Sequence, residues 1–316
     1  MKTLWELTRL EHGLMYGFGV IIGMIIAGGE IYAIILTPIF GLPLVLVLPT
    51  QIAALGFFTA LFIQAGTFAL NDYCDLESDI ANQRLDRPLV RGELRKEEAL
   101  LVAVIATAFG IISAAFLSYF ILSLVLLATV LGILYDIKLK EFFIVSNVYI
   151  ALTMALPFIF GSLIVEPGRV DPVILTLTLI AFLAGFGREV MKDIADVKGD
   201  ALRDVKSIAR VYGIDKAVRT TVFSYLLAVI LSVVPFFLVN TVFFLNLAYL
   251  LPVMVANAFF LHTSIRLLKT RIRIRTGSGE VHAMRKETLL AIGIGLIAFV
   301  CGALFQIPSP FPLPFN

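Results

Sequence analysis

Residues Asn71 to Asp79 read N-D-Y-C-D-L-E-S-D, three aspartates and a glutamate in nine positions, with long apolar runs on both sides. Asp72, Asp75 and Asp79 stand at relative positions 0, 3 and 7, which on a helix fall within an arc of about 60°. Glu77 and Cys74 fall off that face. A second stretch, K-D-I-A-D-V-K-G-D from Lys192 to Asp200, repeats the spacing with Asp193, Asp196 and Asp200, 121 residues further on. Like charges stacked on one helical face repel, so two such faces call for cations. Carboxylate oxygens select hard cations, and Mg²⁺ characteristically takes one or two carboxylates plus substrate phosphates. Asp72, Asp75, Asp79, Asp193, Asp196 and Asp200 are therefore the candidate metal ligands, with two Mg²⁺ ions holding a diphosphate as the expected arrangement.

The surroundings of the two stretches set the fold class. The chain is 59% hydrophobic and 15% charged, against roughly 25% charged in soluble domains, and its mean hydropathy is +0.97. That composition predicts an integral membrane protein. No signal-peptide pattern opens it, because the first apolar run is too long for one and no small-residue cleavage site follows. Cys74 and Cys301 lie far apart and suggest no disulfide framework.

Runs with little or no charge cover Leu14–Leu36, Ile52–Leu70, Ala99–Leu134, Phe142–Val165, Val173–Phe186, Thr220–Leu238, Phe243–Ile265 and Leu289–Phe305. As one helix the third would be about 54 Å long, against a hydrocarbon core of about 30 Å. It reads as two spans with a tight turn near Ser118. The short run from Val173 reads as a helix that continues into the polar segment after it. The expectation is an all-α polytopic protein with nine transmembrane helices, in two four-helix pseudo-repeats around a central cavity. It forms one membrane domain over 1–316, with repeats at roughly 10–135 and 140–265 and a final span at 289–305. The aspartate motifs occupy equivalent places, at the ends of the second and sixth spans.

Charge distribution sets the expected orientation. With a cytoplasmic N-terminus, five inner segments (the N-terminus and residues 71–98, 135–141, 187–219 and 266–288) hold two, five, two, eight and seven of the 25 Lys and Arg residues, and only Arg169 falls elsewhere. This follows the positive-inside rule and puts the C-terminus outside. The acids follow the cations inward, all but Glu30, Glu166 and Asp171. Topology does not require that of acids, so the candidate active site is placed on the cytoplasmic side.

Basic residues near the motifs suit an anionic ligand. Arg84, Arg87 and Arg91 follow the first motif, Tyr135, Lys138 and Lys140 lie in Y-D-I-K-L-K, and Arg188, Lys192, Arg203 and Lys206 lie in or beside the second. The candidate diphosphate contacts are Asn71, Arg84, Lys138, Lys140, Lys192 and Lys206. The alternating Arg271, Arg273 and Arg275 read as an anchor to anionic lipid. His12, His262 and His282 are too scattered for a metal site.

At these residues the chain resembles the UbiA superfamily of intramembrane prenyltransferases. N-D-Y-C-D-L-E-S-D matches the family pattern NDxxDxxxD at every fixed position, D-I-A-D-V-K-G-D matches DxxDxxxD, and Y-D-I-K-L-K resembles the family's tyrosine-to-lysine motif, with Lys138 and Lys140 both available. Within the superfamily, G-R-E-V-M-K-D-I-A-D-V-K-G-D, N-Q-R-L-D-R-P-L-V-R-G-E-L and the stretch holding Asn147 look most like the archaeal digeranylgeranylglyceryl phosphate synthases. That branch usually opens its first helix with Arg-Pro-x-Asn; here Arg9 is kept while Leu10 and His12 replace the proline and asparagine. The resemblance implies Mg²⁺-dependent transfer of a prenyl group from an isoprenyl diphosphate, with geranylgeranyl as the expected group. The acceptor it implies is membrane-associated, first geranylgeranylglyceryl phosphate in ether-lipid synthesis, alternatively 4-hydroxybenzoate or dihydroxynaphthoate in quinone synthesis. In that chemistry Asp72, Asp75, Asp193, Asp196 and Tyr135 are the catalytic candidates. Membrane lipids are expected partners and nucleic acid is not.

Two rival classes fit less well. A cation-coupled transporter is expected to bind its ion near mid-membrane, whereas these acids lie at span ends. A CDP-alcohol phosphotransferase would carry an Asp-Gly-x-x-Ala-Arg stretch, which this sequence lacks.

Overall fold

The computed structural model describes residues 2–29, 32–39, 42–81, 83–142, 145–202, 206–274, 279–305 and 307; of these, the side chains of 32–39, 42–49, 141, 196, 198–202, 271–274, 279 and 282 lie outside the description. The chain begins with α1 (Lys2–Thr8) and α2 (Leu10–Ile26). A β-hairpin follows, β1 (Tyr32–Ile39) antiparallel to β2 (Leu42–Pro49), with Tyr32 opposite Pro49 and Ile39 opposite Leu42. Then come α3 (Gln51–Ala81), α4 (Lys96–Ala115), α5 (Tyr119–Ile137), a 3₁₀ turn (Leu139–Glu141) and α6 (Val145–Val165). The remainder is α7 (Pro172–Leu202), α8 (Ile208–Val211), α9 (Ile214–Phe237), α10 (Leu247–Ile274) and α11 (Gly279–Leu304).

Among the described residues eight helices are long and apolar enough to cross a membrane: α3 to α7 and α9 to α11. The pair α1 and α2, bent by 55°, makes a ninth if it is one span. The run Ala99–Leu134 divides as its length requires. Ser118 caps α5, its Oγ accepting from the Ile121 N–H at 3.1 Å and satisfying a donor that a helix start leaves free.

The helical reading needs one correction at the first apolar run. A helix does not continue to Leu36 but ends at Ile26. The Gly28 N–H donates to the Ile25 carbonyl and the Gly29 N–H to the Met24 carbonyl, with Gly28 at φ +78°. That is the Schellman arrangement, which closes a helix by placing glycine in the left-handed region. The apolar residues beyond it pair as β1 and β2.

The chain forms two compact units. One comprises Met1–Lys140 with Pro157–Val170, the other Glu141–Leu156 with Asp171–Asn316. In the first, α2 crosses the second half of α6 at very close approach. A Cβ on Gly23 would run into the Phe158 carbonyl, and one on Gly161 into the Val20 carbonyl. Small residues at a crossing let helix backbones pack where lipid offers no hydrophobic driving force. In the second unit, Val190, Met191 and Ile194 of α7 pack with Val218 and Val222 of α9, Leu267 of α10 and Met284 of α11. Asn246, 2% exposed, ties the end of α11 down: its Nδ2 donates to the Gly302 and Phe305 carbonyls at 3.0 and 2.8 Å.

Both motif helices outrun the bilayer. At 31 residues each, α3 and α7 are about 46 Å long, and their apolar portions precede the aspartates. A single continuous helix therefore carries each motif beyond its apolar portion.

Candidate active site

The helical face of Asn71–Asp79 forms as the spacing predicts, within α3. Asp72 is 2% exposed. Arg9 Nη2 donates to its Oδ1 at 2.7 Å, and Arg87 Nη1 lies 3.4 Å from the same oxygen. Arg87 Nε also lies 3.8 Å from Asp79. One carboxylate almost removed from water thus has two guanidiniums against it, as burial of a charge demands. Its other oxygen, Oδ2, is buried and accepts no hydrogen bond.

Arg9 reaches this position by an unusual backbone. It sits between α1 and α2 at φ 43°, ψ 55°, the left-handed region that disfavours a side chain. Its guanidinium stacks over the Phe68 ring, 4.3 Å from the centroid. Strain of this kind persists where the surroundings over-determine it; here an ion pair and a ring contact hold it.

Next along the face, Asp75 takes Lys140 Nζ at 2.5 Å and Asn71 Nδ2 at 3.1 Å. Asn71 Nδ2 also donates to Asp136 Oδ1 at 3.0 Å. Asp136 is 2% exposed, and Tyr135 beside it is buried. Asp136 of α5 thus stands next to the motif. Of the two lysines, Lys140 reaches Asp75, and Lys138 is exposed. Glu77 and Cys74 are exposed, off the aspartate face.

The Arg84 backbone N–H donates to the Asp79 carbonyl at 3.0 Å, but its guanidinium is bonded to Asp86. Its Nε and Nη2 donate to the two oxygens of Asp86, both at 2.9 Å, and hold that carboxyl below the usual carboxylate range. Arg91 is likewise committed to the loop, bonding Glu93, the Leu85 carbonyl and Glu6 of α1. Arg87 is the loop cation turned inward. Arg9 was legible only as a retained residue of the first helix, since nothing in its neighbourhood signals a partner 63 positions away.

In the second unit, Asp193 accepts from Asn147 Nδ2 at 2.8 Å, so the first aspartate of that motif also has an asparagine amide on it. Lys192 is exposed and lies 3.5 Å from Glu189, and Lys206 is exposed. Asp196, Asp200 and Arg203 lie outside the described side chains. Among the described residues no three acidic, His or Cys side chains already converge as a closed metal cage.

Comparison with known proteins identifies the family. The profile of the UbiA prenyltransferase family matches residues 46–274. The digeranylgeranylglyceryl phosphate synthase of Archaeoglobus fulgidus is 43% identical over 303 residues, 96% of each chain. That of Methanosarcina mazei is 32% identical over 96% of this chain and 98% of its own. A solved structure of a digeranylgeranylglyceryl phosphate synthase in membranes superposes with a TM-score of 0.72 at 26% identity, covering 96% of this chain and 98% of that one. A UbiA homologue from Archaeoglobus fulgidus, bound to DMAPP and Mg²⁺, shares the fold with a TM-score of 0.61 at 18% identity, covering 94% and 99%. By fold, motif and sequence, the chain belongs to the UbiA prenyltransferase family.

Proposed function

We propose that the protein transfers a geranylgeranyl group from its diphosphate to geranylgeranylglyceryl phosphate, a step of ether-lipid synthesis, and that each aspartate motif is required for the transfer. The observation that carries the acceptor is the 43% identity along nearly the whole chain to a digeranylgeranylglyceryl phosphate synthase. The orientation follows the cations: N-terminus in the cytoplasm, C-terminus outside, reaction at the cytoplasmic edge.

The donor set suits Mg²⁺. It offers oxygen ligands only, one buried Asp72 oxygen lacks a partner, and an open set suits a metal that completes its shell with phosphate oxygens and water. When bound, the metal neutralises charge on the departing diphosphate. Asp72, Asp75 and Asp79 of the first motif and Asp193, Asp196 and Asp200 of the second are the residues that would hold Mg²⁺. Arg9, Arg87 and Lys140 then have diphosphate oxygens to donate to, and Lys192 and Lys206 add positive potential. Asn71 fixes Asp75 relative to Asp136, and Tyr135 would donate to the diphosphate or shield the cation.

The C1–O bond of the donor breaks and its electron pair leaves on the diphosphate. The allylic cation takes a lone pair from the free glycerol hydroxyl, an ether C–O bond forms, and the hydroxyl proton passes to the released diphosphate. Water would turn the cation into a prenyl alcohol; a site within the membrane keeps it out.

The test offers labelled geranylgeranyl diphosphate and Mg²⁺ to the purified protein with geranylgeranylglyceryl phosphate, 4-hydroxybenzoate and dihydroxynaphthoate in parallel. Preferential labelling of the glyceryl phosphate is expected. Preference for an aromatic acid would move the protein to quinone synthesis.

A further inference from the structure

Asp136 lies outside both aspartate motifs, in the last turn of α5, and is 2% exposed. Its Oδ1 accepts from Asn71 Nδ2 at 3.0 Å. Its Oδ2 is buried and accepts no hydrogen bond. Taking a carboxylate out of water with one oxygen unpartnered costs stability. A residue kept on such terms calls for a role beyond holding the fold.

The Asn71 amide supplies one. A carboxamide nitrogen carries two N–H donors. Asn71 gives one to Asp136 and the other to Asp75 Oδ2 at 3.1 Å. Turned over, the amide would set its own oxygen against two carboxylate oxygens, so the pair of acids fixes which end of it meets Asp75. An amide and a carboxylate four residues apart on one helix interact only weakly by themselves. The bond to Asp136 ties the amide to a second helix, α5. The other oxygen of Asp75, Oδ1, takes Lys140 Nζ at 2.5 Å, and Lys140 stands in the 3₁₀ turn just after α5. Asp75 is thereby held at both oxygens from the end of α5, directly by Lys140 and through Asn71 by Asp136. Hydrogen bonds from the residues behind a metal ligand orient that ligand and tune its affinity.

We propose that Asp136 is a positioning residue, which orients the Asn71 amide, and through it the Asp75 carboxylate, toward the Mg²⁺ ion that accompanies the prenyl diphosphate. The inference rests on the reading that Asp75 is a ligand of that ion, and not on which acceptor the protein uses. It requires opposite effects on fold and metal: removing Asp136 relieves the fold of a poorly solvated charge and loosens the ligand.

The experiment measures Mn²⁺ binding to the purified full-length protein in detergent by electron paramagnetic resonance, with geranylgeranyl thiodiphosphate as an unreactive donor analogue and no acceptor. Mn²⁺ suits the same oxygen ligands as Mg²⁺. Asp136→Ala should raise the Mn²⁺ Kd about 10–100-fold, with the metal-free unfolding midpoint at or above that of the wild type. Asp136→Asn keeps an acceptor oxygen for the amide and should recover most of the lost affinity. In an Asn71→Ala background, Asp136→Ala should have little further effect, because the group through which it acts is gone. An unchanged Kd in Asp136→Ala, or the same loss with and without Asn71, overturns the positioning role. A midpoint that falls while the Kd holds makes Asp136 a structural residue instead. Mn²⁺ binding absent from the wild type would overturn this inference together with the metal reading of the first motif. The expected pattern of Kd values beside preferential transfer to an aromatic acid would leave Asp136 in its role and overturn only the acceptor proposed above.

Discussion

Arg9→Met isolates the pairing on which the first aspartate motif depends. Arg9 Nη2 lies 2.7 Å from Asp72 Oδ1, and the two side chains are 18% and 1% exposed. A hydrogen bond to a charged group contributes about 1.5–3 kcal/mol. Arg87 remains 3.4 Å from the same oxygen, so the single change should fall near the lower end, about 2 kcal/mol. Removing both cations leaves Asp72 buried and unpaired, and Arg9→Met with Arg87→Met should cost about 3–5 kcal/mol. The assay is a double-mutant cycle with Asp72→Asn, read as unfolding midpoint in detergent. A loss of about 2 kcal/mol corresponds to a fall of roughly 4–8 °C. In the Asp72→Asn background the effect of Arg9→Met should nearly vanish, a coupling of about 1.5–2 kcal/mol. An equal loss in both backgrounds would show that Arg9 acts through Phe68 or the helix junction, and the electrostatic account of Asp72 would fail.

Three further outcomes follow from the same geometry. Lys140→Met should raise the KM for the prenyl diphosphate about tenfold, the worth of one charge-assisted contact, while Lys138→Met leaves it near the wild-type value; steady-state kinetics decides. Arg84→Gln breaks an exposed pair worth less than about 1 kcal/mol and should barely change turnover, whereas Arg87→Gln should lower it at least about tenfold; equal effects in an initial-rate assay would contradict the inward placement of Arg87. Gly161→Val drives a side chain into the Val20 carbonyl and should abolish the folded, monodisperse protein in size-exclusion chromatography. Retained wild-type yield would mean that α2 and α6 do not cross so closely.

Much of the helical bundle was legible because membrane spans are dictated locally. Apolar run length divided Ala99–Leu134 at Ser118, and the 0, 3, 7 spacing placed Asp72, Asp75 and Asp79 on one face of α3. The end of the first span was less legible, since Leu14–Leu36 is apolar throughout and hydropathy does not register the turn that Gly28 and Gly29 close. The cations were harder still. Spacing assigns a face to a residue but not its partner on another element, so Arg84 was preferred to Arg87, although the Arg84 guanidinium is bonded to Asp86 and that of Arg87 lies against Asp72 and Asp79. Arg9 meets Asp72 across 63 positions, and Asp136 meets Asn71 across 65; only the folded chain brings such pairs together. Asn147, by contrast, was noticed through resemblance, and its contact with Asp193 supplies a physical role.

The central claim is that both aspartate motifs serve one Mg²⁺-dependent transfer. The most direct measurement is initial-rate transfer from labelled geranylgeranyl diphosphate to geranylgeranylglyceryl phosphate, titrated with Mg²⁺, for the wild type, Asp72→Asn and Asp193→Asn. Each substitution alone should lower the rate by about 10²–10³-fold or more, with the protein still folded and membrane-inserted. Wild-type Mg²⁺-dependent turnover in either variant would contradict the two-motif account.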